Sequence, residues 1–231
     1  MIVLGFDTAT PATAVALLDA RAEGDGFDDE RRHDPAPGER PGHGPRLLAL
    51  AHELLDGAAL TFSDVDRIAV GLGPGGFTGL RIGVATARAL AQAAGAEIVG
   101  VSTLKALAAS ARPAPGQGVL AVVDARRGEV FLAGFRDGEQ VLGPVAVAPS
   151  AVGALAGAGW LAVGDGALRF RDDLERAGCV VAVDGSAQHG VSARMVCRLA
   201  LQASRGTERD LVVPDYLRKP DALLARHKPS P

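Results

Sequence analysis

Three features of this chain call for an α/β fold in two lobes. A hairpin over residues 2–6 and 12–18 opens the sequence, and the same design returns over residues 119–124 and 129–135. Between them an apolar strand, residues 67–72, runs into a Gly73-Pro-Gly-Gly turn and then a proline-free stretch from Phe77 to Ala94 with helical spacing. Of the 231 residues 48% are hydrophobic, enough to bury one large core or two smaller lobes.

The turn of the first hairpin carries Asp7, Thr8 and Thr10, residue types that commonly bond their own turn backbone. Residues 21–45 are rich in glycine, proline and mixed charge, and predict a short third edge strand around residues 26–31 followed by an exposed loop. Pro45 belongs in the first turn of a helix that closes at Gly57. Leu47, Leu50, Ala51 and Leu54 form its stripe, and Leu48 with Leu55 widens it, so the helix is either sandwiched internally or meets a partner.

The helix from Phe77 aligns Phe77, Leu80, Val84, Arg88 and Ala91 on one side, with Gly79, Gly83 and Ala87 as a second row four apart. Each glycine inside a helix costs about 1 kcal/mol relative to alanine, so something must pack close there: the chain's own sheet or another chain. If another chain, Gly83→Arg is expected to leave the monomer folded and abolish pairing. A strand at 97–101 and a helix capped by Ser102 complete a first lobe, residues 1–112. A proline-glycine linker opens the second lobe, residues 113–218. It holds the second hairpin, a strand at 138–147, a short helix at 149–156, strands at 160–164 and 179–183, and a helix capped by Ser192 through Ala203. Residues 212–218 are apolar enough to dock, and 219–231 are expected to fray.

A net charge of −3 and a pI near 6.0 give no global attraction to nucleic acid. Cys179 and Cys197 predict two buried thiols in a reducing cytosol, with no signal peptide and no membrane span. No two of His33, His43, His52, His189 and His227 are four apart and no HExxH occurs, so no metal site is expected. The glycine turn opening a helix has the shape of an anion site, yet the Walker signature is missing: no lysine precedes Lys105.

The turn with Asp7, Thr8 and Thr10 resembles the first phosphate loop of the actin, Hsp70 and sugar-kinase fold. Taken in order, Asp7-Thr-Ala-Thr, Gly73-Pro-Gly-Gly-Phe-Thr-Gly-Leu-Arg-Ile-Gly, Val123-Asp-Ala-Arg-Arg-Gly-Glu-Val-Phe, Val163-Gly-Asp-Gly-Ala and Pro214-Asp-Tyr-Leu-Arg resemble the bacterial TsaB (YeaZ) family over nearly the whole chain. Gly76 stands where that family usually has serine. The resemblance implies a two-lobed actin-like (ASKHA, ribonuclease H-like) fold and a non-catalytic role. TsaB proteins pair with the related TsaD, and with TsaE they form the complex that transfers threonylcarbamoyl to N6 of the adenosine beside the tRNA anticodon. Such a chain has no cofactor, meets tRNA only indirectly, and forms a homodimer when alone. Carried onto this sequence, the pairing surface comprises His43, Leu47, Leu50, Leu54, Gly75, Gly76, Phe77, Gly79, Leu80, Arg81, Gly83, Val84 and Ala87.

The competing expectation is a small ATPase or phosphotransferase of the same fold, using Asp7, Thr8, Thr10 and Asp124 around magnesium-ATP. Against it stands the second hairpin turn, Asp124-Ala-Arg-Arg-Gly, where two long side chains replace the glycines that let backbone approach a phosphate. Those positions are read as a degenerate phosphate loop.

Overall fold

The computed structural model describes residues 1–20, 26–36 and 38–218. The first sheet holds β1 (Ile2–Asp7), β2 (Thr13–Asp19), β3 (Asp28–His33), β4 (Arg67–Gly71) and β5 (Glu97–Val101), in the order β3-β2-β1-β4-β5. The second holds β6 (Gly118–Arg126), β7 (Glu129–Arg136), β8 (Glu139–Val147), β9 (Trp160–Val163) and β10 (Val180–Val181), in the order β10-β9-β6-β7-β8. Each is an antiparallel three-strand meander whose first strand pairs in parallel with one later strand, which in turn pairs in parallel with the last. The recurrence of the hairpin in the sequence thus marks a repeat of the whole sheet.

Helices α1 (His43–Gly57) and α2 (Phe77–Ala94) cover one face of the first sheet, burying Leu47, Leu54, Leu55, Val84 and Ala87 against Leu4, Phe6, Val15, Ile68 and Val70. The widened stripe of α1 resolves into two parts: Leu55 enters this core, whereas Leu48 remains 42% exposed on the outer side. Short helices α4 (Asp165–Arg169) and α5 (Arg171–Arg176) lie beside the second sheet, where Ala167 and Leu174 join its outer core. The sequence reading did not resolve them, and the stretch expected as a helix from Pro149 is a 3-10 turn, Pro149–Ala154.

Between the sheets lie α3 (Thr103–Ala109) and α6 (Ala193–Leu201), exchanged with respect to chain order. α3 leaves the first sheet and packs on β6 and β7, while α6 packs back onto β1 and β2. One apolar core therefore runs from Val3, Ala16 and Ala69 through Leu104, Leu107, Val196 and Cys197 to Val119, Ala121 and Phe131. A division at residue 112 separates the two sheets along the chain, but each sheet is covered by a helix from the other side of that division.

Polar ties fix the exchanged helix α6 at both ends. At its start Ser192 Oγ caps Met195 N, and the Glu30 carboxylate on β3 accepts from Ser192 Oγ and Ala193 N at 2.8 Å each. At its end the buried Arg67 donates through Nη1 to the carbonyls of Ala200 and Ala203, 2.8 and 3.0 Å away, while its other nitrogens bond Glu97. A cation on the terminal carbonyls satisfies acceptors the helix leaves open and opposes its dipole. Both cysteines are buried free thiols, as expected. The fraying assigned to residues 219–231 lies outside the described residues, whereas 212–218 do dock: Val212 is buried and Asp215 N bonds Leu72 O at 2.7 Å.

Candidate functional site: the interlobe cleft and the face of α2

A cleft of about 730 Å³ opens where the β1–β2 turn, the first turn of α2, the β6–β7 hairpin and residues 215–218 converge. The first wall is built from the end of β1. Asp7 lies there but does not face the cleft: Oδ1 accepts from Ala9 N at 2.8 Å and Oδ2 from Thr103 Oγ1 at 2.7 Å. Burial pushes its carboxyl above the usual range, against the opposing effect of those two bonds. Thr103 Oγ1 in turn accepts from Gly73 N at 3.1 Å, so Asp7 acts through α3 to anchor the glycine turn. Gly73 sits at φ 101°, a conformation that excludes ordinary side chains. Thr8 also turns inward and donates to Gly79 O at 2.7 Å. Thr8 and Thr10 line the cleft, and Asp7 does not.

The second wall ends in the β6–β7 hairpin, which closes through Arg127 and Gly128 at φ 56° and 76°. Type I′ turns take positive φ at both central residues, hence the usual preference for Asn-Gly. Arg126 also has positive φ, 63°, next to an irregularity in the β6–β7 register after Asp124. A bulge of this kind re-aims a side chain, and Arg126 lines the cleft. Asp124 Oδ1 accepts from Arg126 N at 2.8 Å, and Oδ2 lies 2.7 Å from Arg169 and 3.2 Å from Arg126 Nη1. Asp165, whose Oδ1 accepts from Asp124 N at 3.0 Å, is pushed up by burial, with the Asp124 charge adding to the shift.

The residues expected at a pairing surface separate by depth. His43, Leu47, Leu54, Gly79, Leu80, Gly83, Val84 and Ala87 are buried within the chain, whereas Gly76 and Arg81 are exposed and Leu50, Gly75 and Phe77 are half-buried. The glycine row meets the chain's own first turn. A Cβ on Gly79 would stand 2.0 Å from Thr8 O, and one on Gly83 2.4 Å from Thr8 Oγ1. The expectation that Gly83→Arg leaves the monomer folded is therefore corrected: the new side chain would enter the contact between α2 and the β1–β2 turn.

On the outer side of α2, Arg81 lies over the Phe77 ring, 3.9 Å from its centre, and donates through Nε to Tyr216 Oη at 3.0 Å. Tyr216 packs against Phe77 with ring centres 5.1 Å apart. Arg218 then reaches Glu129 on β7 at 2.6 Å. Sequence reasoning quoted the segment containing Tyr216 but gave it no place at the site. It also missed Thr103 and Arg169, whose roles arise from contacts 96 and 45 residues away along the chain. Among the described residues no three His, Cys, Asp or Glu side chains gather as a metal site, and no helix is long and apolar enough to cross a membrane.

Two sheets of one topology, helices exchanged between them and a cleft at the ends of their first strands define an actin-like (ASKHA) protein. The ROK hexokinase of Thermus thermophilus shares this fold, with a TM-score of 0.50 at 13% identity over 87% of this chain and all of the other. Residues 40–162 match the family described as TsaD: tRNA N6-adenosine threonylcarbamoyltransferase. An uncharacterized protein of Mycobacterium tuberculosis is 34% identical over 95% of this chain and 93% of its own length. The tRNA threonylcarbamoyladenosine biosynthesis protein TsaB of Escherichia coli is 37% identical over 60% of this chain and 57% of its own. YeaZ from Pseudomonas aeruginosa superposes with a TM-score of 0.74 at 30% identity, over 94% of this chain and 99% of that one. The chain belongs to the TsaB (YeaZ) family.

Proposed function

We propose that this chain serves tRNA threonylcarbamoyladenosine biosynthesis as a non-catalytic subunit that pairs with a TsaD-type protein, works alongside TsaE, and forms a homodimer when its partner is absent. The pairing surface in this reading is the outer side of α1 and α2: Leu48, Leu50, Gly76, Phe77 and Arg81, with Tyr216 beside them. The observation that carries the non-catalytic reading is the state of the two strand-end carboxylates. Asp7 is closed off by Ala9 N and Thr103, and Asp124 by Arg126 and Arg169, so neither is presented as a ligand to a magnesium-nucleotide. Leu48, 42% exposed on the outer side of α1, gives this surface an apolar point for a partner to cover.

The test is co-purification with the TsaD protein of the same organism, with light scattering of the mixture and of each chain alone. A one-to-one complex that Leu48→Asp or Arg81→Glu disrupts, with the monomer's melting temperature preserved, is the expected result. Absence of any complex, together with a rise in melting temperature on adding magnesium-ATP, would favour the small ATPase instead.

A further inference from the structure

The first turn of α2 presents donors to the cleft without acceptors to meet them. Its N-cap is Gly76, which has no side chain to cap with, and no backbone acceptor takes the N–H groups of Phe77, Thr78 or Gly79 among the described residues. Those residues all line the cleft. In a helix of 18 residues these open groups coincide with the positive end of the dipole.

An independent donor is aimed at the same place. His43 is only 5% exposed, lines the cleft, and its Nε2 lies 3.1 Å from where a Gly79 Cβ would stand. The imidazole's other nitrogen fixes the tautomer. Thr13 is 1% exposed, and the only hydrogen bond its hydroxyl makes among the described residues is the 2.9 Å contact to His43 Nδ1. A buried hydroxyl proton needs an acceptor, so Nδ1 accepts and the ring proton resides on Nε2. That Nε2–H has no hydrogen-bond partner among the described residues. Arg40, on the same wall, makes no ion pair among them either.

We infer that the cleft holds a small oxyanion group, a carboxylate or a phosphate, between the open N–H groups of α2, the Nε2–H of His43 and the guanidinium of Arg40. Of the acidic residues lining the cleft, Asp124 is held by two arginines, Asp165 bonds the backbone of Asp124, and Asp215 is tied through its backbone N to Leu72 O. Arg126 and Arg218, on the opposite side, are engaged with Asp124 and Glu129. The site belongs to the chain itself and does not depend on the pairing proposed above.

The experiment titrates the isotopically labelled chain with sodium phosphate and, separately, sodium acetate at matched ionic strength, following the amides of Phe77, Thr78 and Gly79 and the His43 ring nitrogens. Saturable shifts at both α2 and His43, with the proton on Nε2, are expected. Gly76→Ser supplies the missing cap and competes with the anion, weakening it about fivefold. A Cβ there meets nothing nearer than Ala9 O at 3.4 Å, so this variant keeps the fold. His43→Phe is expected to weaken binding by about tenfold and Arg40→Gln by about threefold. Phosphate binding more tightly than acetate assigns a phosphate, and the reverse order a carboxylate. No saturable shift with either ion, or shifts unaltered by both Gly76→Ser and His43→Phe, would overturn the inference.

Discussion

Gly79→Ala and Gly83→Ala, changes of a single methyl one helical turn apart, should differ in size, the first costly and the second nearly neutral. Alanine gains about 1 kcal/mol over glycine inside a helix, and both variants collect that gain. At Gly79 the added Cβ stands 2.0 Å from Thr8 O, a backbone atom directly after the last β1–β2 pair, Asp7 with Ala14. Relief requires α2 to lift off the turn, and overpacking of this kind costs about 3 kcal/mol at the upper end of its usual range. The net is a loss of about 2 kcal/mol, or roughly 4–8 °C in melting temperature for a chain of this size. At Gly83 the neighbour is the Thr8 hydroxyl, 2.4 Å away, which can rotate at the expense of its bond to Gly79 O. That bond is worth about 1 kcal/mol, so Gly83→Ala should lie within about 0.5 kcal/mol of wild type. With Thr8→Ala already in place, adding Gly83→Ala should stabilise by about 1 kcal/mol, a coupling that locates the contact. Urea unfolding gives the energies, and light scattering across a dilution series reports association. A Gly79→Ala protein as stable as wild type but defective in pairing would refute the reasoning and return the glycine row to an interface.

Arg67→Met should cost about 2–4 kcal/mol in urea unfolding, since the terminal carbonyls of α6 lose a buried cationic donor. The bond from Arg67 holds the Glu97 carboxyl below its ordinary value of 4.5. A lowered folded-state pKa contributes stability above the unfolded value and loses it as pH falls through the folded one. The stability advantage of wild type over Glu97→Gln should therefore shrink as pH drops from about 4.5, and an advantage that grows there would contradict the assignment. Asp7 has the opposite sign: burial raises its pKa above 3.8, so its contribution is full below that pH and declines as pH climbs towards the folded value. Thermal unfolding of Asp7→Asn beside wild type over that range checks it, and a difference rising with pH would count against the buried placement.

What the sequence disclosed and what it withheld follow from the range of each interaction. α2 was legible to both ends because local chemistry marks them: a glycine turn before Phe77 and Gly95 at φ 66° after Ala94. The hairpins and the caps at Ser102 and Ser192 are equally local, and their side chains accept from Lys105 N and Met195 N as the spacing implies. The glycine row announced a close neighbour, but that neighbour is Thr8, 71 residues from Gly79, and spacing on a helix cannot name it. The same limit hid the turning of Asp7 towards Thr103 and the exchange of α3 and α6 between the sheets. α4 and α5, with 5 and 6 residues, are too short to develop a helical period.

The two sheets repeat one plan, so the contrast between their corresponding turns carries information that neither turn carries alone. After β1 come Thr8, Ala9 and Thr10, small residues at unstrained angles; after Asp124 the chain places Arg126 and Arg127 at φ 63° and 56°. Left-handed backbone costs a residue with a side chain about 1–2 kcal/mol, which glycine avoids. Arg126→Gly removes that strain and gives up an ion pair on a side chain that is 61% exposed, a pair worth at most about 1 kcal/mol while Arg169 still holds Asp124. The variant should therefore unfold at the same urea concentration as wild type or a slightly higher one. If it does, stability does not explain an arginine at this position, and its placement on the cleft wall becomes the reason to look for what it contacts there. A loss above about 1 kcal/mol would instead make Arg126 the principal restraint on Asp124 and leave the cleft without a claim on it.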